Sequence, residues 1–374
     1  MGSYNRFHNA LVRIDAGQSA DVIDKFGKTT NADSGVNTDL WDGANTTDDV
    51  AVHVAPTQAR IHALVSSDAD DTAGVSTLTL TANITNGDTM TIGTKVYTFQ
   101  TTLTNVDGNI LISAVNASGS IDNAIAAINL GGTAGTDYAL AMTAPTESVT
   151  AYVGAGDTMI VSDDGAAIIA TTETFTGASN LFSVAATVPG AGARIVRVSG
   201  LKTWDLSETS EDVPLQGTVA VNTLNSYVFI NRMQVIKWGG GTGQNQGVIT
   251  ATAATDTTVS SQINALNGQT QQSIMAISSL DTFWLHDVYY GAIKAASTTT
   301  MEVDLMGNSN PSEQLTNFAV KNAMGLSITG TSEHEASFVP AREFVGPYII
   351  KLRVNTNAAN VTATGGFDGV LTLT

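Results

Sequence analysis

Tyr348-Ile349-Ile350-Lys351-Leu352-Arg353-Val354 is a stretch in which apolar and charged side chains alternate. Successive side chains of a β-strand point to opposite faces, so this alternation predicts a strand with one buried face. The same pattern occurs at residues 301–306 and 370–374, and turn residues such as Asn267-Gly268 and Gly365-Gly366 separate such stretches. Many short strands divided by turns predict a mainly β chain that folds as a jelly-roll-like antiparallel sandwich.

The composition narrows the functions that the chain can have. Its 374 residues carry 16 Lys and Arg against 34 Asp and Glu, which gives a formal net charge of −18. This balance argues against nucleic acid and an anionic membrane surface as partners, because both require clustered Lys and Arg. The chain has no cysteine, which excludes disulfides, thiolate metal ligands and cysteine nucleophiles. No stretch approaches the ~20 apolar residues of a membrane helix.

Residues 75–189 differ from their surroundings. They contain nine acidic side chains and a single basic one, Lys95. They also have strand and helix signals of their own: a hairpin around Gly93, and a helix that Ser120 would cap and Gly131-Gly132 would end. The apolar face of that helix would consist of Ile121, Ala124, Ile125 and Ile128. We therefore predict a small α+β domain over residues 75–189.

The segments on either side predict how this domain is attached. Residues 59–66 and 194–200 each alternate like a strand, and they would form the two arms of one interrupted hairpin. The sandwich would then be discontinuous, built from residues 46–74 and 190–374. An exposed turn is the place where a fold best tolerates such an insertion.

The N-terminal segment, residues 1–45, contains scattered apolar side chains between polar ones. This pattern is typical of an extended arm that becomes ordered on a neighbouring subunit. It also fits a strand and loop that lead into the sandwich of the same chain. We predict an N-terminal extended arm, and the second interpretation remains open at this point.

Two segments near the N-terminus resemble a family of tailed-bacteriophage structural proteins. They are Val22-Ile23-Asp24-Lys25-Phe26-Gly27-Lys28 and Thr38-Asp39-Leu40-Trp41-Asp42-Gly43. The chain departs from the family at Lys28-Thr29, where members often have Arg-Asn. Further similar stretches lie at residues 54–62, 194–201, 204–213, 248–253 and 268–271. The resemblance therefore covers most of the chain outside residues 75–189, and this inserted segment resembles small Thr-, Ala- and Gly-rich modules of phage virion proteins.

Phe283-Trp284-Leu285-His286-Asp287-Val288-Tyr289-Tyr290 is the densest aromatic stretch. On a regular strand, Phe283 and Tyr289 would share one face, and Trp284 and Tyr290 would share the other. Aromatic side chains on both faces indicate a strand that is covered on both sides, by the core and by a subunit interface. The alternative is a platform on which a carbohydrate stacks. The predicted capsid or subunit contacts are Phe26, Trp41, Trp284, Tyr289 and Tyr290.

Few groups of residues indicate catalysis or metal binding. Glu333-His334-Glu335 would place two carboxylates on one strand face, which in principle suits glycan cleavage but is also typical of a solvated face. His53 and His62 lack a third ligand nearby in sequence. The run Asp68-Ala69-Asp70-Asp71 fails the calcium-loop pattern and is interpreted as a solvated turn. We expect neither an enzyme nor a bound cofactor or metal.

The resemblance implies a β-rich virion component on the capsid exterior, without catalytic residues to carry over. From it we expect a capsid-decorating or cement protein on the outer surface of the phage particle, which stabilises the head by protein–protein contacts. Its partners would be the major capsid protein and further copies of itself, most simply in a homotrimer. The alternative is a tail or fibre protein that binds host-surface glycans.

Overall fold

The structure is a computed structural model that describes residues 20–32, 34–41, 58–146, 149–154, 156–162, 169–177, 180–182, 188–240, 244–255, 257–312 and 317–373. It is mostly β, with 57% of the chain in strands and one helix among the described residues. Several antiparallel sheets form it, which confirms the predicted mainly β sandwich class. No helix in these ranges is long and apolar enough to span a bilayer.

The elements follow one another in a regular order along the chain. They are β1 (Ala20–Ala32), β2 (Thr38–Asp39), β3 (His62–Ser66), β4 (Val75–Thr79), β5 (Thr89–Ile92), β6 (Lys95–Gln100), β7 (Asn109–Leu111), α1 (Ala117–Asn129), β8 (Thr150–Val153), β9 (Thr158–Ser162), β10 (Thr171–Glu173), β11 (Leu181–Phe182), β12 (Ala193–Leu201), β13 (Thr209–Pro214), β14 (Val221–Asn222), β15 (Phe229–Trp238), β16 (Ile249–Ala253), β17 (Val259–Ile263), β18 (Ile274–Ile277), β19 (Asp281–Asn308), β20 (Ala319–Val345), β21 (Tyr348–Thr356) and β22 (Val361–Leu373).

The C-terminal unit is a sandwich made from one bent sheet. Its strand order is β1-β22-β19-β21-β18, with β2 paired to β21 and β20 paired to β19. The 28-residue strand β19 pairs with β22 in its first half and with β21 in its second half. The pairing with β20 shifts register between Lys294 and Thr299. Arg342 donates to the main-chain oxygen of Lys321 at 2.7 Å, 21 positions away on the same strand, so β20 folds back on itself.

This bend creates two layers with a shared core. The first layer contains β1, β22, the first half of β19 and the second half of β20, and the second contains β2, β18, β21 and the remaining halves. Apolar side chains from both layers pack together, among them Phe283, Leu285, Val303, Leu352 and Phe367. Each has 0% of its surface exposed.

A second β unit lies between this sandwich and the insertion. Its sheets are β13-β12-β15 and β14-β3-β16-β17, and their inner faces share a core that includes Leu64, Val196 and Ile230. A separate apolar cluster around Trp41, Trp204 and Phe229 joins this unit to the C-terminal sandwich. Where the sequence predicted one discontinuous sandwich over residues 46–74 and 190–374, the described part of that region has two main hydrophobic cores.

The inserted segment contains both strands and a helix, and three of its residues, Val75, Tyr152 and Ile160, pack in the core of the second β unit. It contains two four-stranded sheets, β10-β5-β6-β7 and β11-β4-β9-β8, and helix α1, packed around a core of their own. The hairpin at Gly93 and the buried helix face of Ile121, Ala124, Ile125 and Ile128 are confirmed.

The predicted helix cap was wrong. Asn116 is the N-cap and accepts from Gly119 N–H at 2.9 Å, whereas Ser120 is buried inside the helix. The helix ends at Leu130, which has a φ of 51°.

The attachment of the insertion differs from the predicted hairpin. Strand β3 pairs with β14 and β16, whereas β12 pairs with β13 and β15, so the two flanking strands lie in different sheets. The chain nevertheless leaves and returns at one place, because Gly190 N donates to Thr72 O at 2.9 Å and Gly192 N donates to Asp70 O at 3.0 Å.

The described part of the N-terminal segment belongs to this chain's own sandwich. Strand β1 runs antiparallel to β22 from Ala20↔Thr372 to Ala32↔Val361. For these residues the structure corresponds to the strand that leads into the sandwich, and not to an arm extended onto a neighbour. Residues 1–19, 33 and 42–45 lie outside the described residues.

Candidate interaction face

The outer side of the first sandwich layer brings three of the predicted contact residues together. Cross-strand partners share a face, so the register of β1, β22, β19 and β20 defines rows of side chains across this surface. We call it the acidic aromatic face. Its four rows are Val22, Val370, Trp284, Glu343; Asp24, Asp368, Asp287, Ser337; Phe26, Gly366, Tyr289, Glu335; and Lys28, Thr364, Gly291, Glu333.

A β-bulge places Trp284 and Tyr289 on the same face. The register shifts between Leu285 and Asp287, so one extra residue interrupts the alternation of β19. Before the bulge Phe283 and Leu285 point into the core, and after it Val288 and Tyr290 do so. The regular alternation expected from the sequence was therefore wrong beyond His286.

Gly366 makes room for the aromatic ring beside it. A Cβ atom at this glycine would lie 2.4 Å from the hydroxyl oxygen of Tyr289 and 2.1 Å from the main-chain oxygen of Lys25. The ring can therefore cross β22 towards β1, where its hydroxyl donates to Asp24 Oδ1 at 2.9 Å. Burial, together with the hydrogen bond to Asp24, raises the pKa of Tyr289. The ring is half-buried and held in place from both sides.

Almost all charged groups on the acidic aromatic face are negative. The rows contain one ammonium group, that of Lys28, and six carboxylates, of which all but Asp287 are accessible. Asp287 is 2% exposed. Asp24, Asp368 and Asp287 lie directly side by side on three neighbouring strands. Among the described residues, no group of three or more His, Asp and Glu side chains is arranged to hold a metal ion. A partner for this face would have to carry basic groups.

The face ends at an open strand edge. Among the described residues, β20 pairs only with β19 over its 27 residues. An edge strand offers unpaired N–H and C=O groups to another chain. Val339, in the stretch that bulges out opposite His286, is 76% exposed.

Two of the five predicted contact residues are instead core residues of this chain. Trp41 is 9% exposed and packs in the cluster that joins the two β units. Tyr290 is 3% exposed and lies edge-on to the His334 ring, with the ring centroids 5.4 Å apart. Phe26, Trp284 and Tyr289 are half-buried and remain accessible from the acidic aromatic face.

The titratable residues that the sequence offered as candidates for catalysis or metal binding differ in their burial. Glu333 and Glu335 are exposed on one strand face, as the alternation predicted, and His334 points to the opposite one. His62 is 1% exposed, and its Nε2 lies 2.9 Å from Ser260 Oγ. His53 lies outside the described residues. Asp71 is not solvated, since it is 0% exposed.

Sequence reasoning missed a groove on the outer side of the second layer. Its volume is about 640 Å³. Small side chains on β20 open it beside a carboxylate and two amides, and its lining includes Glu302, Ala323, Gly325, Ser327, Asn355 and Asn357. No sequence motif marks the groove, because its lining combines single short stretches of the three different strands β19, β20 and β21.

Comparison with known proteins does not assign the chain to a family. A scan against protein-family models finds no match, and a search of curated proteins finds none either. The resemblance to tailed-phage virion proteins therefore stays a prediction.

Proposed function

We propose that this chain is a structural protein of a tailed-phage particle, which decorates the capsid and stabilises it by protein–protein contacts. The observation that carries the proposal is the acidic aromatic face with the open edge of β20 beside it. Half-buried aromatic rings held by neighbouring groups are typical of interface anchors. A strand edge that only another chain can complete suits self-association, with a homotrimer as the simplest arrangement for a local three-fold position.

The face also defines the chemistry of the partner. Five accessible carboxylates against one ammonium group favour a basic surface on the major capsid protein. Binding should therefore weaken as the salt concentration rises, because exposed charges are screened over about 10 Å at 0.1 M salt.

Charge reversal on the face tests this function. Glu335→Lys should weaken rebinding to particles that lack the protein, by about tenfold for each 1.4 kcal/mol of lost attraction. The matched control is Glu302→Lys, because Glu302 is also exposed but lies on the other layer. Co-sedimentation measures binding, and mass spectrometry of purified particles gives the copy number. Equal binding of both variants, or only a handful of copies per particle, would contradict capsid decoration through this face.

A glycan-binding tail or fibre protein is the second candidate. The specific observation in its favour is that Phe26, Trp284 and Tyr289 share one accessible face with carboxylates. Sugars stack on aromatic rings and hydrogen-bond to carboxylates, so such a face can bind them.

Replacing one ring separates the second candidate from the first. If glycans bind here, Trp284→Ala should abolish binding to a glycan array while the folded state persists. Trp238→Ala is the control, because Trp238 is 48% exposed on β15, away from the face. If the native protein binds no glycan, this candidate is rejected.

A further inference from the structure

A lysine from the C-terminal sandwich reaches into the neighbouring β unit. Lys25 lies on β1, is 8% exposed, and its Nζ donates to the main-chain oxygen of Asn231 on β15. Asn231 is 3% exposed. The two residues are 206 positions apart, and they connect units that have separate hydrophobic cores.

Three hydrogen bonds hold the side-chain amide of Asn231. Its Oδ1 accepts from Ala276 N–H at 2.8 Å, and its Nδ2 donates to Ala276 O at 3.0 Å. Nδ2 also donates to Glu208 Oε2 at 2.5 Å. The amide carbon thus has a main-chain N–H on its oxygen and a carboxylate on its nitrogen.

These contacts match the needs of acyl transfer at an amide. A nucleophile must approach the carbonyl carbon, and a fixed N–H must stabilise the negative charge that develops on the oxygen. A proton-transfer group must also serve the leaving nitrogen. Ala276 N–H and Glu208 stand in two of these places around the side-chain amide of Asn231. Lys25 Nζ lies at the main-chain oxygen of the same residue. For the attack, Nζ has to move from the main-chain oxygen of Asn231 to Cγ of the same residue.

The lowered pKa of the Lys25 amine also favours nucleophilic attack. Burial lowers the pKa of Lys25 to about 8, against the opposing effect of Glu208 and with a contribution from Arg232. Only the neutral amine is a nucleophile. Its fraction therefore becomes substantial at neutral to mildly alkaline pH and grows as the pH rises through 8.

We propose that Lys25 and Asn231 form an intramolecular isopeptide bond. The lone pair of Nζ attacks Cγ of Asn231, and the Nζ–Cγ bond forms. Glu208 accepts a proton from Nζ and delivers it to Nδ2. The Cγ–Nδ2 bond then breaks and ammonia leaves, so no oxidant, reductant or co-reactant is needed. Glu208 is exposed, which gives the ammonia a short path to water.

Such a bond would give a chain without cysteine a covalent connection between its two β units. A covalent link that closes a long loop stabilises the fold by restricting the unfolded chain. The inference does not depend on the proposed function, because it concerns bonds within one chain.

Intact-mass spectrometry of the full-length protein tests the proposal. We expect a mass lower than that of the sequence by one ammonia molecule, and a peptide pair joined through Lys25 and Asn231 after digestion. Lys25→Arg and Asn231→Ala should each restore the full mass of the variant sequence. Glu208→Gln should slow the loss of ammonia, and the loss should proceed faster at pH 9 than at pH 6.

Lys28→Arg is the matched control, because Lys28 lies on the same strand but on the opposite face. It should lose ammonia like the native protein. Loss of ammonia that persists in Lys25→Arg would place the reaction elsewhere, for example at an Asn-Gly sequence, and would overturn the proposal. A native protein that keeps its full mass after incubation at pH 9 would also overturn it.

Discussion

Replacing Asp71 by alanine should lower the free energy of unfolding by about 3–5 kcal/mol, because it leaves several buried donors without an acceptor. The carboxylate of Asp71 is 0% exposed. Its Oδ1 accepts from Ala193 N–H at 2.7 Å and from Gln246 N–H at 2.8 Å. Its Oδ2 accepts from Gly247 N–H at 2.9 Å and from the Ser66 hydroxyl at 2.6 Å.

The position of Asp71 explains the size of this effect. Asp71 lies where the chain leaves for the insertion, Ala193 begins the strand on which it returns, and residues 246–247 precede β16. One side chain thus joins both ends of the insertion to the sheet beneath. Gly192 leaves room for this carboxylate, since a Cβ atom at position 192 would lie 2.1 Å from Asp71 Oδ1.

Urea unfolding followed by tryptophan fluorescence measures the loss at Asp71. All 4 tryptophans lie outside residues 75–189, so the signal reports on the two β units. Asp71→Asn should lose less than Asp71→Ala, since its oxygen keeps two of the bonds while its NH₂ group faces donors. The control is Asp70→Asn, an exposed neighbour that should change stability by less than about 0.5 kcal/mol. Equal unfolding midpoints for Asp71→Ala and Asp70→Asn would refute the role assigned to Asp71.

Lys351→Met should cost about 3–5 kcal/mol, because it leaves a buried carboxylate without its cation. Lys351 Nζ lies 2.7 Å from Asp39 Oδ2, and the two side chains are 5% and 2% exposed. The ammonium group also lies 4.2 Å from the centre of the Phe318 ring. The pair attaches the short strand β2 to β21.

A double-variant cycle separates the worth of this ion pair from the cost of breaking it. Asp39→Leu combined with Lys351→Met should be more stable than Lys351→Met alone, since no buried charge remains. Arg197→Met is the control, because the Arg197–Asp212 pair is 47% and 40% exposed and should contribute at most about 1 kcal/mol. The prediction fails if Lys351→Met and Arg197→Met shift the thermal midpoint equally.

Local patterns in the sequence were enough to predict many of the elements. The stretch at residues 348–354 became β21, and the hairpin at Gly93 became β5 and β6. The single buried face expected for β21 was wrong, because Ile349 and Ile350 pack in different cores and Lys351 is 4% exposed. The buried side of α1 followed from the spacing of its isoleucines. The predictions that succeeded did so because the period of a strand or helix is repeated within a few residues of sequence.

The sequence could not predict those features of the acidic aromatic face that depend on how the strands pair. The bulge near His286 shifts the register of β19 against both β20 and β22, and it puts Trp284 on the same face as Tyr289, two rows away. Trp41 and Trp284 are the same type of residue, yet Trp41 lies in the core and Trp284 lies on the acidic aromatic face. Only the packing of whole sheets distinguishes them.

The sequence by itself therefore determined that the chain is mainly β, that residues 75–189 contain both strands and a helix, and that no disulfide can hold the chain together. The tertiary structure alone decided which strands are neighbours and which polar groups are buried. Asp71 reads as part of an acidic turn, and Lys25 as one base on a surface strand. Their most distant hydrogen-bond partners among the described residues lie 176 and 206 positions away. A short sequence window contains the period of a strand, but not the distant donor or acceptor that makes it favourable to bury a charged side chain.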